Sequence, residues 1–267
     1  MRRAFLAFLA SLALACGQAA AESEPDDEQR MIDWGEQFVR EVDHRLDVPL
    51  AEQARYFSLI DQVLADADLR QLPTQAFLLV DSSVQVQAAI VLVRREDGSW
   101  RWLGATAVST GKVGSYDYFV TPPGVFAHSL ENPDFRAEGT FNENHIRGYG
   151  LRGRRVFDFG WQDAERGWGK GGKSRMRLQM HATDPNVLES RLGRVASKGC
   201  IRIPATLNVF LDLHGVLDAD YEAAEMAGRA LWVLKPDRTT IPWPGRYMVI
   251  VDSGAVDRPA WAPLPQR

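Results

Sequence analysis

Apolar residues recur along this chain at two different periods, and the change of period comes near residue 72. Within 50–69, Tyr56, Phe57, Ile60, Val63 and Leu64 fall on one face at helical spacing, and 31–48 also reads as a helix. Asp47, two residues before Pro49, marks an entry to the second helix with proline in its first turn. Beyond Leu72-Pro73 the texture changes to short runs rich in β-branched residues. The first covers 77–80, the second 84–94 and the third 100–108, with Asp97-Gly98 as a hairpin turn between the last two. Further strands are predicted over 123–127, 155–159, 175–181, 198–203, 231–235 and 246–252. One helix is expected after Pro204, through Val209, Phe210 and Leu213. The tail 253–267 is Pro-rich and aperiodic, and no internal repeat is evident. The pattern predicts a mainly β domain over 73–252 preceded by a helical segment over 22–72.

The first residues suggest a compartment. Arg2 and Arg3 precede an apolar run over 4–15 that is too short to span a bilayer, and Ala19-Ala20-Ala21 offers small residues for cleavage. Residues 1–21 read as a removed signal peptide, with export to the periplasm or cell envelope. A rival reading makes Cys16, after Ala13-Leu14-Ala15, the acylated residue of a lipoprotein. Charge is uneven. Residues 22–72 carry 14 acids and 5 bases (5 − 14 = −9), and 73–267 carry 21 acids and 24 bases (24 − 21 = +3). The later part therefore tolerates an anionic ligand better. The acidic pI, near 5.8, and basic residues not interleaved with stacking aromatics argue against a nucleic-acid partner.

Residues 167–174, Gly-Trp-Gly-Lys-Gly-Gly-Lys-Ser, satisfy the phosphate-loop pattern letter for letter. That pattern works only between a buried strand and a helix, where amides and the helix N-terminus cradle phosphate. Here the residues before it are polar and those after it alternate as a strand. It reads instead as a flexible glycine-rich loop, and no nucleotide is expected.

Cys16 and Cys200 are the only cysteines, and processing at the N-terminus leaves Cys200 alone. A lone thiol in an oxidising compartment is either inert and buried or a working nucleophile. Its setting, Ser197-Lys198-Gly199-Cys200-Ile201-Arg202, favours the second. A thiol after Gly in a tight turn exposes its sulfur together with the amides of Gly199 and Cys200, suited to holding an oxyanion. Lys198 and Arg202 supply positive charge nearby to help an ordinary thiol ionise. The base is expected to be His181, at the end of strand 175–181, nineteen positions earlier (200 − 181). His44 reads as a solvated surface residue, His214 as capping a helix or facing solvent, and His128 and His145 as structural.

The run His181-Ala182-Thr183 followed by Ser197 to Arg202 resembles the signature of the L,D-transpeptidase family. The upstream Ser109-Thr110-Gly111-Lys112 and Thr121-Pro122-Pro123-Gly124-Val125-Phe126 are similar to that family's second recurrent stretch. The resemblance spans about 75–235. It implies a mainly β, β-sandwich catalytic fold acting on peptidoglycan stem peptides, with no metal or organic cofactor. It further implies that Cys200 attacks the carbonyl of the third-position diamino acid and releases the terminal D-residue. His181, oriented by the Ala182 carbonyl, takes the thiol proton and returns it to the leaving amine. An amine, from a stem peptide or a protein, or water then resolves the thioester. Ser197 and Arg202 match positions that support the site and substrate.

Two positions depart from the family pattern. Lys198 stands where His is usual, and Ala182 where Gly is usual. The stretch 128–174, with His128, His145, Tyr149, Trp161 and Trp168, reads as a long insert forming a substrate-covering lid. Acceptor choice lies in such a lid, so a cysteine hydrolase (carboxypeptidase or amidase) remains an alternative, as does a wall-binding protein without turnover.

Overall fold

The computed structural model describes residues 26–264. The leader reading of 1–21 and the acylation reading of Cys16 fall outside the described residues. Among those described, no helix is long and apolar enough to cross a membrane.

In chain order the elements are α1 (Asp27–Glu41), α2 (Leu50–Asp66), β1 (Gln75–Asp81), β2 (Ala88–Arg94), β3 (Trp100–Ala107), β4 (Gly124–Ala127), β5 (Phe135–Arg136), β6 (Arg155–Glu165), β7 (Lys173–Ala182), a 3-10 turn (Glu189–Arg191), β8 (Ile201–Ile203), α3 (Ala205–Leu213), α4 (Ala219–Met226) and β9 (Tyr247–Val251). Of the described residues 26% are strand and 22% helix, so these form a mixed α/β class with two sheets, and helices add more than a mainly β reading allows.

The first sheet runs β3-β2-β1-β9-β4, with β1 and β9 parallel; the second runs β5-β6-β7-β8, with β7 and β8 parallel. The first sheet is covered on both faces, which is why β1 and β2 are continuous apolar runs rather than alternating ones. Leu78, Val80, Val91 and Ile250 face a core shared with Phe157, Leu178, Met180 and Ile201 of the second sheet. Phe77, Leu79, Ile90 and Val249 pack on the other side with Tyr56, Ile60 and Leu64 of α2. Each of those three α2 side chains contributes about 2 kcal/mol by leaving water. The Tyr56 hydroxyl donates to Asp81 at 2.5 Å, tying α2 to the end of β1.

Several boundaries differ from the sequence reading. The first helix ends at Glu41 rather than 48, because Val42 is extended, His44 takes a φ of 54° and Arg45 bridges to Thr106 at the edge of the sheet. Pro49 is the N-cap of α2 rather than a first-turn residue. Residues 84–86 form a turn ahead of β2, with the Val86 amide donating to the Ser83 carbonyl. The expected strand 231–235 is a turn: Trp232 is exposed, and the Val233 carbonyl accepts from the Arg136 side chain rather than from a strand. The stretch 128–174 is not a lid throughout. β6 is an inner strand of the second sheet and β5 its edge, which leaves 137–153 as the covering part. The glycine-rich 167–172 is the hairpin loop between β6 and β7, with a strand after it.

A buried ionic cluster closes one end of the core. Arg155, fully buried, donates from Nε to Asp134 at 2.6 Å and from both terminal nitrogens to Asp218 at 2.7 and 2.8 Å. His128 sets Nε2 against Asp134 at 2.9 Å and Nδ1 against the Leu217 carbonyl at 2.8 Å. Both ring nitrogens face acceptors, so the imidazolium fits best. Burial opposes that charge, but Asp134 outweighs it and raises the pKa. His214, expected to cap or face solvent, sits at the C-cap of α3 but is buried, with Nε2 2.7 Å from Glu41 and Nδ1 2.8 Å from the Thr239 carbonyl. His44 is partly exposed, 3.5 Å from Glu189, and His145 lies in an exposed loop.

Candidate active site

The turn carrying Cys200 is held from both of its flanks. Ser109 exchanges two main-chain hydrogen bonds with Arg202, both 2.9 Å, and the Lys112 amide donates to the Ser197 carbonyl at 3.1 Å. Thr121 accepts from the Gly111 amide at 2.8 Å and donates to the Gly199 carbonyl at 2.7 Å. The two stretches 109–112 and 121–126 thus meet the Cys200 turn through their first residues. Gly111 runs so close to its neighbours that a Cβ there would lie 2.0 Å from the Phe119 carbonyl oxygen. Gly199 has a φ of 128°, a conformation essentially reserved for glycine, and a Cβ there would meet Met176 at 2.8 Å.

Ser197 closes the turn. Its hydroxyl donates to the Cys200 carbonyl at 2.5 Å and accepts from the Gly199 amide at 3.0 Å. This corrects one expectation: the Gly199 N–H is occupied inside the turn and is not presented as an oxyanion donor.

His181 lies on β7, and Cys200 is the last residue of the turn before β8, the strand parallel to β7. Met180 pairs with Ile201 and His181 with Arg202, so side chains of 179 and 181 share a face with those of 200 and 202. His181 is buried, and its Nδ1 donates to the Ala182 carbonyl at 2.7 Å. A carbonyl can only accept, so the neutral ring carries its proton on Nδ1 and leaves Nε2 with a free lone pair. Burial, aided by the Arg202 charge, pushes the His181 pKa down to about 4, against the Ala182 hydrogen bond.

Cys200 is partly exposed and, among the described residues, pairs with no other thiol. Its Sγ lies 3.9 Å from the Arg177 carbonyl, to which the thiol can donate. Burial raises the thiol pKa; a hydrogen bond from the Gln179 main chain and the Arg202 charge oppose this, and Asp158 adds to it. The resting pair is therefore a neutral thiol and a neutral imidazole.

The two cations behave differently from each other. Lys198 is exposed and turns away to Asp117, 3.4 Å off, and to the Tyr118 ring, so it is not the charge beside the sulfur. Arg202 is that charge: it is the cation acting on the thiol, and its own pKa is lowered by burial.

Sequence reasoning missed the surroundings of this pair. The Tyr149 ring meets His181 edge-on at 4.7 Å, and its hydroxyl donates to Gln179 at 3.1 Å. Gln179 donates in turn to buried Asp158 at 2.8 Å, which also receives Arg177 at 2.8 Å. Alternation along β7 could have placed 177, 179 and 181 on one face, and Tyr149 belongs to the stretch read as a lid, but nothing local sets Tyr149 against His181 or points to Asp158. Tyr149 also borders a cavity of about 500 Å³ lined by Phe135, Arg136, Glu138 and Phe141. Among the described residues no group of three or more His, Cys, Asp or Glu is arranged to hold a metal ion.

Compared with protein-family models and with curated proteins, the chain matches none.

Proposed function

We propose that this chain is a cysteine acyltransferase of the cell envelope, an L,D-transpeptidase acting on peptidoglycan stem peptides through a thioester on Cys200. The observation that carries the reading is the entry of Cys200 into β8 on the face that His181 of β7 shares with Arg202, with the imidazole tautomer set by the Ala182 carbonyl. Two sheets enclosing one core agree with the β-sandwich that the motif resemblance implies.

Because both groups rest neutral, the proton moves during attack. Cys200 Sγ bonds to the scissile carbonyl carbon as His181 Nε2 removes the thiol proton. The carbon–nitrogen bond then breaks, and Nε2–H protonates the departing amine. An incoming amine attacks the thioester, gives its proton back through Nε2 and releases Cys200 as thiol. With the Gly199 amide engaged by Ser197, the Cys200 amide is the oxyanion donor nearest to the chemistry. Tyr149, over His181, limits water at the base and so favours transfer.

The test is incubation with a disaccharide tetrapeptide, products being followed by mass spectrometry with Cys200→Ala alongside. A cross-linked dimer that has lost one terminal D-residue, absent with the variant, is the expected result. Cys200-dependent tripeptide without dimer would make the chain a hydrolase. No Cys200-dependent product would overturn the proposal.

A further inference from the structure

A cavity of about 350 Å³ beside the Cys200 turn has four basic side chains in its wall, Lys112, Arg191, Arg194 and Arg202, and no acidic residue. Among the described residues none of the four has a carboxylate partner, whereas neighbouring cations do: Lys198 has Asp117, Arg177 has Asp158 and Arg147 has Asp184. Arg202 is the most telling. One terminal nitrogen donates to the Ala196 carbonyl at 3.3 Å, while its Nε is buried without a partner. A guanidinium held largely out of water without a counter-charge is costly, and an anion in the cavity can offset that charge even though Nε itself is enclosed. Arg202 also connects the cavity to the chemistry, since it lies two residues beyond Cys200 on the same strand face and its charge acts on the thiol. The volume suits one small acidic moiety.

We propose that this cavity seats a carboxylate of the substrate, held by Arg202, Arg194 and Lys112, while the scissile carbonyl meets Cys200. This rests on Cys200 being the nucleophile. A planar carboxylate matches the paired donors of arginine and supplies the counter-charge that all four side chains lack.

The test separates the cavity from the nucleophile. Calorimetric titration uses glutarate, its neutral diamide glutaramide and inorganic phosphate. The proteins are the unmodified chain, Cys200→Ala, Arg194→Gln, Lys112→Gln and, as a distant exposed control, Arg229→Gln. Glutarate should bind and glutaramide should not. Binding should survive in Cys200→Ala and Arg229→Gln and weaken at least tenfold in Arg194→Gln; if that variant fails to fold, Lys112→Gln carries the same comparison. Saturating glutarate should also slow alkylation of Cys200 by iodoacetate more than by iodoacetamide. Equal binding of glutarate and glutaramide, unchanged affinity in both cavity variants, or tighter binding of phosphate than of glutarate would each overturn the proposal. Glutarate binding together with a Cys200 inert to both alkylating reagents would support the anion seat and sink the nucleophile reading instead.

Discussion

Raising the pH from 6 to 8 should speed alkylation of Cys200 by iodoacetamide about a hundredfold, because well below its pKa a thiol's ionised fraction grows tenfold per pH unit. The expectation follows from the protonation states at the site. His181 is pushed down to about 4, and the thiol is pushed above its ordinary 9.0. A preformed thiolate–imidazolium pair needs the opposite order. Acyl transfer should behave differently from alkylation, since it needs neutral His181 and a thiol proton to remove. Its rate should hold level through neutral pH and fall only near pH 4. His181→Gln should abolish transfer while leaving alkylation at pH 8 within a few-fold. The same shift makes acid destabilising. Between pH 6.5 and about 4 the unfolded chain takes up a proton at His181 that the folded chain refuses. Stability is therefore full above 6.5 and falls by about 3 kcal/mol as the pH drops to 4. Alkylation that stays flat between pH 5 and 8, with thiolate absorbance already present at pH 6, would refute the neutral-pair argument.

Two further outcomes follow from buried polar contacts. Ser197→Ala removes the hydroxyl that joins the Gly199 amide to the Cys200 carbonyl and should cost about 2–3 kcal/mol in chemical denaturation, two buried hydrogen bonds being lost together; a cost under about 0.5 kcal/mol would mean that the turn holds its shape without it. Arg155→Met takes from Asp134 and Asp218 the guanidinium they share, leaving His128 and, for Asp218, Arg238 as more distant compensation, and should cost about 3–5 kcal/mol, with part recovered on adding Asp218→Asn; a double variant no more stable than the single one would show that Asp218 is not the stranded charge.

Local pattern made much of this molecule legible. The apolar runs of β1, β2 and β9 are dense because the first sheet is covered on both faces, and such runs stand out in a sequence. The nucleophile and base were legible because a lone thiol after glycine and a histidine at a strand end are chemically unusual settings. What was hidden depended on residues far apart in the chain. Asp134, Arg155 and Asp218 each look like ordinary surface charges until the fold brings them together. Lys198 and Arg202 look equivalent around Cys200, yet Lys198 sits in the turn ahead of β8 and reaches Asp117, whereas Arg202 lies within β8 and its charge acts on the thiol. The run 231–235 has strand composition but joins neither sheet, and composition alone does not disclose that.

The place of β9 between β1 and β4 governs the order in which this molecule can be completed. Phe77 is paired with Tyr247, so the middle of the sheet joins segments 170 residues apart (247 − 77). Until β9 emerges, β1 presents a bare edge that is apolar on both faces, and β4 has no hydrogen-bonded neighbour in the sheet. A chain stopped short of Tyr247 therefore loses two strands rather than a tail, and exposes a template for sticking to its own copies. Folding must wait for the far end of the polypeptide, and the interval before that end arrives is when the chain most needs to be kept from its neighbours.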